Sequence, residues 1–422
     1  MGVLDFGTAK SLDEVVARVA DAARARPGSE WVLGGRWDHE SWSSKELPTH
    51  ESLSKAVPDR PVWLRRVDGH AGLANKKAMD EAGVTRDTPN PPGGEIIRDG
   101  RGEPTGVFID NAMSLVAQKI PAGAMGSAED MILKAQQMCL AAGLTGVHDM
   151  GVSPGEITLY QRLAAEGKLK LRVYALVAGP YAMRWFAEHD PIIGDRFTVR
   201  ACKLYMDGAM GSRGAWMLEA YADRPTGPDG KPYTGLSVSS PDLIEAAAKH
   251  GLERGYQVCT HAIGDRGNRE VLDAYERAMK ASEPSISRNA DPRFRIEHAQ
   301  LLSLADIPRF AALGIIPSMQ PTHCTSDMRW VDQRVGPERS KGAYAWASLL
   351  RNGSRLAAGS DFPVESHNPF LGFYAAVTRQ DASGQPEEGW HPSERMTREE
   401  ALRAFTLDAA YASFEETQKG SL

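Results

Sequence analysis

The sequence predicts an α/β protein, a TIM-like (β/α) barrel that carries an inserted α+β lid subdomain. Seven short runs rich in apolar or β-branched residues occur after residue 126, and helical patterns fit between most of them. Such alternation predicts a parallel sheet, and seven units in a row favour a barrel over an open doubly wound sheet. No strand-like run is followed by Gly-x-Gly-x-x-Gly, so a dinucleotide-binding fold has no support.

Three regions differ in pattern. Residues 1–29 predict a helix, with a capping box from Ser11 to Glu14 and an end at Pro27 and Gly28. Residues 30–125 are dense in glycine and proline and predict the inserted lid, including a hairpin around Asp99-Gly100. Residues 126–422 predict the barrel. Its strands are expected at 145–148, 171–177, 199–205, 257–261, 294–298, 315–319 and 356–361.

Composition excludes several classes of protein. The 422 residues carry a net charge of −6, with no basic excess of the kind that nucleic-acid binding needs. The sequence has no apolar run long enough to span a membrane and no secretory signal. Its four cysteines are scattered without a Cys-x-x-Cys pair, which predicts a reduced, cytoplasmic chain. The expected partner is a small-molecule substrate, and a homodimer stays open.

Polar residues stand at the ends of the predicted strands. These are Lys203, His261, His298 and Asp361. Catalytic groups of α/β barrels cluster at the C-terminal ends of different strands, so the four are expected to converge. Two imidazoles and a carboxylate suit zinc or a similar divalent metal, beside which Asp361 would take up and return a proton. Taken singly, each has a plainer explanation: His261 as a structural hydrogen bonder, Lys203 as a solvated lysine and Asp361 as a helix cap.

Longer motifs around these residues are more specific. They are 67–71 (VDGHA), 203–213 (KLYMDGAMGSR), 261–266 (HAIGDR), 295–300 (RIEHAQ), 318–323 (SMQPTH) and 359–364 (GSDFPV). In sequence and order they closely resemble amidohydrolase family 3 of the amidohydrolase superfamily, the branch that includes N-substituted formamide deformylase. The resemblance extends from about residue 10 to residue 420.

The resemblance implies a (β/α)-barrel with a small β-sandwich, and hydrolysis of amide or related C–N bonds with one or two divalent metals. Lys203 matches the lysine that is carboxylated to bridge two metals, and His261 and His298 match ligands of the more buried metal. Asp361 matches the general base beside the metal. His70 and His323 resemble the family's substrate-facing histidines.

Two further residues lie in the loop after the predicted lysine strand. Asp207 and Arg213 are expected to shape the mouth of the site and to bind substrate. The alternative for both is loop capping and surface pairing, and a change at Arg213 that leaves the kinetics unaltered would favour it.

The family's first barrel strand carries a His-x-His pair, and no His-x-His occurs in the 422 residues. We therefore expect the first strand and the sandwich ends to be absent, at most one metal to be well bound, and activity to be low. Three explanations compete: a gene fragment or mis-assigned start, a truncated inactive paralogue, or an active single-metal variant.

Three functions follow from these patterns. The first is a metal-dependent amidohydrolase acting on an N-acyl or N-formyl small molecule. The second is a metal-free barrel in which Lys203 forms a Schiff base, which leaves the two histidines and Asp361 without a role. The third is a non-catalytic descendant of the enzyme, which metal content would distinguish from the first.

Overall fold

The computed structural model describes residues 3–26, 28, 30–124, 126–282 and 291–421. The chain divides into two compact units. Unit 1 comprises Met1–Ser127 with Gly211–Gly214, and unit 2 comprises Ala128–Met210 with Ala215–Leu422. The boundaries expected from the sequence remain predictions, and Pro27, the expected helix end, lies outside the described residues.

Unit 1 contains a mixed six-stranded sheet in the order β1-β2-β3-β4-β6-β5. Its strands are β1 (Leu4–Asp5), β2 (Val32–Trp37), β3 (Val62–Arg66), β4 (Ala71–Ala74), β5 (Gly94–Arg98) and β6 (Pro104–Asp110). Its helices are α1 (Leu12–Ala25), α2 (Glu51–Ala56), α3 (Lys76–Ala82) and α4 (Ser114–Ala117), with 3₁₀ turns at His39–Ser41 and Asn111–Met113.

The capped helix and the hairpin that the sequence predicts are both present in unit 1. The Ser11 side chain accepts a hydrogen bond from the Glu14 amide and caps α1, whose Val15 and Val19 are buried. The expected hairpin is present, because β5 and β6 pair antiparallel on either side of the Asp99 turn. The Asp99 carboxylate accepts backbone amides within that turn, which stabilises it.

Unit 2 contains a seven-stranded sheet in the order β13-β12-β11-β10-β9-β8-β7, parallel throughout. Its strands are β7 (Gly146–Val152), β8 (Arg172–Ala178), β9 (Phe197–Tyr205), β10 (Gln257–Ala262), β11 (Arg295–His298), β12 (Ile316–Met319) and β13 (Ala357–Ala358). Its helices are α5 (Ala128–Ala141), α6 (Pro154–Ala165), α7 (Gly179–Glu188), α8 (Pro241–Arg254), α9 (Asp265–Ala281), α10 (Ile307–Leu313), α11 (Pro321–Asp327), α12 (Val331–Val335), α13 (Trp346–Arg351), α14 (Pro369–Thr378), α15 (Arg398–Phe405) and α16 (Leu407–Tyr411), with 3₁₀ turns at Arg339–Gly342 and Pro392–Glu394.

The strand order of unit 2 confirms the predicted fold class. A doubly wound sheet reverses its strand order, whereas here every strand lies beside the next one in the chain, and the sheet curls as in a TIM-like barrel. All seven expected strands are present. The last strand ends at Ala358 and not at residue 361 as expected, and Asp361 lies beyond it with a left-handed backbone, which extended structure does not allow.

The core of unit 2 lies between this sheet and the helices that follow its strands. Ile244 and Leu252 of α8 and Val271 and Tyr275 of α9 are buried in it. Because the strands are parallel, their C-terminal ends share one edge of the sheet, and the residues beyond them are brought together. Among the described residues, no helix combines the length and apolar character needed to cross a bilayer.

Candidate metal centre

Three potential ligands meet at the C-terminal edge of the unit 2 sheet. His298 ends β11, His323 lies in the first turn of α11 just after β12, and Asp361 follows β13. One ligand atom from each lies within 4.8 Å of the other two. The histidines are buried and Asp361 is half-buried, so the carboxylate is the member open to solvent.

His261, at the end of β10, adjoins this group. Its ring centroid lies 4.6 Å from that of His298, with the two planes at 69°. Nε2 of His261 lies 3.1 Å from the carbonyl oxygen of Gly208. A carbonyl oxygen only accepts, so Nε2 carries the ring proton and Nδ1 keeps the lone pair that a metal requires. The residues therefore fit a divalent metal in the chemistry of their donors.

Among the described residues, three of the eleven non-glycine residues with positive φ lie at these strand ends. His298, Ala299 and Asp361 have φ values of 76°, 42° and 54°, a region that residues other than glycine seldom occupy. Each such conformation costs on the order of 1–3 kcal/mol and persists only where the surroundings impose it. Two of the three residues are members of the group, which supports a functional role for it.

Lys203 lies on β9 and is 3% exposed. Its register partner on β10 is Cys259, two residues before His261, and its Nζ lies 4.7 Å from the centroid of the Tyr205 ring. The lysine therefore belongs to the same stretch of sheet as His261. Convergence of its Nζ with the imidazole nitrogens stays a prediction.

Asp207 is fully buried in the loop after β9. Its carboxylate accepts hydrogen bonds from the amides of Trp216, Ile263 and Gly264 at 2.8–2.9 Å. One oxygen also lies 3.5 Å from Nε2 of His261. This geometry supports a role in positioning the loop and the histidine, and contact with substrate stays a prediction.

A buried ion pair occupies the same strand as His298. Arg295 reaches one oxygen of Glu297 through Nε at 2.8 Å and the other through Nη2 at 2.9 Å. It also donates to Ser318 Oγ at 3.0 Å and to Nδ1 of His148 at 3.0 Å. Burial, together with the positive charge of Arg295, holds the pKa of His148 well below its usual value, so this ring is neutral.

The two remaining predicted residues belong to unit 1. Nδ1 of His70 lies 2.7 Å from Oδ1 of Asp110. Burial raises the pKa of the Asp110 carboxyl, although the hydrogen bond with His70 acts in the opposite direction. Arg213 lies in the Gly211–Gly214 segment of unit 1, with φ at 60°. For both residues, contact with substrate stays a prediction.

Sequence reasoning missed two residues of this region. Gln320 Oε1 lies 2.8 Å from Nδ1 of His298, and Gln300 Nε2 lies 3.2 Å from Nδ1 of His323. Both glutamines stand in motifs already singled out at strand ends, RIEHAQ and SMQPTH. A glutamine within two or three residues of a candidate histidine was the signal that could have found them.

Comparison with known proteins gives the family. The model of the amidohydrolase family matches residues 1–422. The chain belongs to the amidohydrolase family. A putative amidohydrolase, YtcJ of Bacillus subtilis (strain 168), is 32% identical over 99% of this chain and 77% of its own length. N-substituted formamide deformylase of Arthrobacter pascens is 29% identical over 98% and 75% of the two chains.

Similarity also extends to a plant protein and to a solved structure. Protein LONG AFTER FAR-RED 3 of Arabidopsis thaliana is 34% identical over 97% of this amidohydrolase and 70% of its own length. The crystal structure of an uncharacterized metal-dependent hydrolase from Pyrococcus furiosus covers 100% of this chain and 80% of its own, at 29% identity and a TM-score of 0.71. Family and fold together support hydrolase activity and imply a divalent metal, as the sequence predicted.

Proposed function

We propose that this amidohydrolase cleaves amide or related C–N bonds of small N-acyl or N-formyl compounds with zinc. The observation that carries the proposal is the group of His298, His323 and Asp361 with His261 beside it. Imidazole and carboxylate donors suit zinc. The formamide class is suggested by the similarity to N-substituted formamide deformylase. A cytoplasmic location and a homodimer stay predictions.

Each residue has a separate task in this proposal. A bound divalent ion supplies a Lewis acid for the substrate's carbonyl and lowers the pKa of water towards about 7. His261 and His298 would hold this ion. Asp361 takes a proton from the attacking water as the water oxygen bonds to the carbonyl carbon. It then passes this proton to the amide nitrogen as the C–N bond breaks. The products are a carboxylic acid and an amine.

Lys203 takes part as a carbamate. Its neutral Nζ adds to dissolved carbon dioxide, which forms an N–C bond and releases one proton. The ammonium it replaces would repel a metal ion, whereas the carbamate offers anionic oxygen ligands. Lys203 on β9 is only 3% exposed, so its side chain is not solvated as a surface ammonium would be. Buried lysines are rare without a partner, which favours the metal-binding carbamate.

The test uses the purified chain, stripped with a chelator and reloaded with zinc. We expect zinc to restore the release of formate from N-benzylformamide, measured beside release of acetate from N-benzylacetamide. Asp361→Asn should lower kcat by about 10²-fold or more with a small change in KM, because it removes the proton acceptor but keeps an oxygen. Asp332→Asn, at an exposed position on α12, is the matched control and should leave both constants unchanged.

Three possible results of this test lead to different conclusions. A zinc-loaded chain that binds the metal yet hydrolyses neither probe would overturn the proposed substrate class. A folded chain that binds no divalent metal would instead favour the non-catalytic alternative. Trapping of a carbonyl compound on Lys203 by borohydride, without need of metal, would favour the Schiff-base alternative.

A further inference from the structure

Two buried glutamines face the two histidines of the metal group with opposite ends of their amides. Gln320 presents its oxygen to Nδ1 of His298 at 2.8 Å, and Gln300 presents its nitrogen to Nδ1 of His323 at 3.2 Å. The two imidazole rings lie nearly parallel, with centroids 5.8 Å apart. The same type of side chain thus faces His298 with a hydrogen-bond acceptor and the neighbouring His323 with a donor.

The amide orientation of Gln320 is determined by a second contact. Its Nε2 donates to the carbonyl oxygen of Ser318 at 3.2 Å, and a carbonyl can only accept. The other end, Oε1, must then face His298 and accept from Nδ1. A neutral imidazole has a single ring proton, so Nε2 of His298 carries a lone pair, which is what a metal ligand needs.

His323 has the reverse arrangement. The Gln300 nitrogen can only donate, so Nδ1 of His323 accepts and the ring proton lies on Nε2. This Nε2 is buried without a hydrogen-bond partner among the described residues, and it lies 3.9 Å from Oδ2 of Asp361. An N–H beside a carboxylate is attracted to it, whereas a lone pair at that position would be repelled.

We propose that Gln320 and Gln300 are positioning residues that give neighbouring histidines opposite tautomers, making His298 a metal ligand through Nε2 and His323 a hydrogen-bond donor to a substrate oxygen. This inference rests on the proposed function. It assigns different roles to the two histidines although each has a candidate ligand atom within 4.8 Å of one on Asp361. His323 then polarises the amide carbonyl beside the carboxylate that moves the proton.

The first experiment measures zinc affinity by competition with a chromophoric chelator, without substrate. Gln320→Leu removes the acceptor and should weaken zinc binding about 10- to 100-fold, as loss of partners behind metal ligands does. Gln320→Glu keeps an oxygen facing Nδ1 of His298 and should recover part of the affinity, since its second oxygen cannot donate to the Ser318 carbonyl. Gln136→Leu is the control and should leave affinity unchanged, since the side chain of this buried glutamine of α5 bonds to backbone atoms of Lys168, Lys170 and Leu171.

The second experiment separates donor from ligand at His323. Gln300→Met should lower kcat for N-benzylformamide about tenfold while the zinc dissociation constant stays within about twofold, because the donor is no longer oriented. His323→Ala should likewise spare zinc affinity. Loss of zinc affinity in both variants would show that His323 is a third ligand and would overturn this half of the inference.

The third measurement needs neither metal nor activity. Nitrogen-15 spectra of histidine-labelled, metal-free protein, assigned among the 11 histidines with His298→Gln and His323→Gln, report each tautomer directly. We expect Nδ1–H on His298 and Nε2–H on His323. The same tautomer on both rings would refute the inference. The expected tautomers in a chain that binds zinc but hydrolyses neither N-benzylformamide nor N-benzylacetamide would leave the inference standing and refute the proposed substrate class, whereas a chain that binds no zinc would refute both the inference and the proposed function.

Discussion

Oδ1 of Asp207 lies 3.5 Å from Nε2 of His261, and the same carboxylate accepts the backbone amides of Trp216, Ile263 and Gly264. A buried acceptor with this many donors stabilises the loop after β9 and the turn after β10 together. The orientation of His261 and the path of two connecting segments therefore depend on one side chain.

Asp207→Ala should destabilise the protein strongly. It leaves three buried N–H groups without their acceptor, at about 1–3 kcal/mol each, so we expect a loss of about 3 kcal/mol or more. Asp207→Asn keeps one oxygen and should lose less. Urea unfolding measures both, and Asp195→Ala, at a highly exposed side chain, should stay within about 0.5 kcal/mol of the parent. A stable Asp207→Ala variant that fails only in substrate binding would instead support the predicted substrate contact.

Lys203→Ala should lose metal and activity together, since it removes the proposed carbamate ligand. We expect zinc affinity to fall by more than the roughly 10- to 100-fold that loss of a partner behind a metal ligand costs, and a short carboxylate such as propionate to restore part of it. Lys203→Arg forms no carbamate and should resist this rescue. Lys168→Ala, at an exposed lysine, is the control. If Lys203→Ala binds zinc normally, Lys203 is not a ligand.

The buried pair of Arg295 and Glu297 should behave asymmetrically under mutation. Arg295→Met strands a buried carboxylate and should cost about 3–5 kcal/mol of unfolding free energy. Arg295→Met combined with Glu297→Leu removes both charges and should cost less than the single change. Denaturant unfolding of the single and double variants measures the difference. A double variant less stable than Arg295→Met would contradict this account.

His148 should make stability fall in mild acid. Burial and Arg295 hold its pKa well below 6.5 in the folded chain, so below pH 6.5 the unfolded chain binds a proton that the folded chain does not. The free energy of unfolding then decreases with falling pH, by up to about 1.4 kcal/mol per unit, until the folded pKa is reached. His148→Gln keeps an acceptor for Arg295 and should flatten this slope between about pH 6.5 and 5. Parallel stability curves for the two proteins would refute the assignment.

The strands of unit 2 were predictable because buried parallel strands are short apolar runs. The polar residues His261 and His298, at or next to the ends of two of these runs, also indicated the candidate site. The nearness of His323 to Asp361 was not predictable, since it depends on α11 beginning at Pro321 directly after β12. The membership of Arg213 in unit 1 likewise rests on contacts far apart in sequence. Glutamine amides were overlooked because their role depends on which end faces a ring, and spacing does not encode that.

The sequential order of the parallel strands in unit 2 has a consequence for synthesis of the protein. Every strand after β7 finds its hydrogen-bonding partner already made when it leaves the ribosome, because that partner is the strand before it. Each addition closes a loop that contains one helix between most strands and three α-helices between β12 and β13, and the entropy of closure grows only slowly with loop length. Synthesis proceeds from the N-terminus, so the N-terminal strands of the sheet leave the ribosome first. The edge of β7 and β8 is thus available for pairing before β10, β11 and β13 have been made, and the candidate ligands on and beyond those strands are the last part of the site to be synthesised.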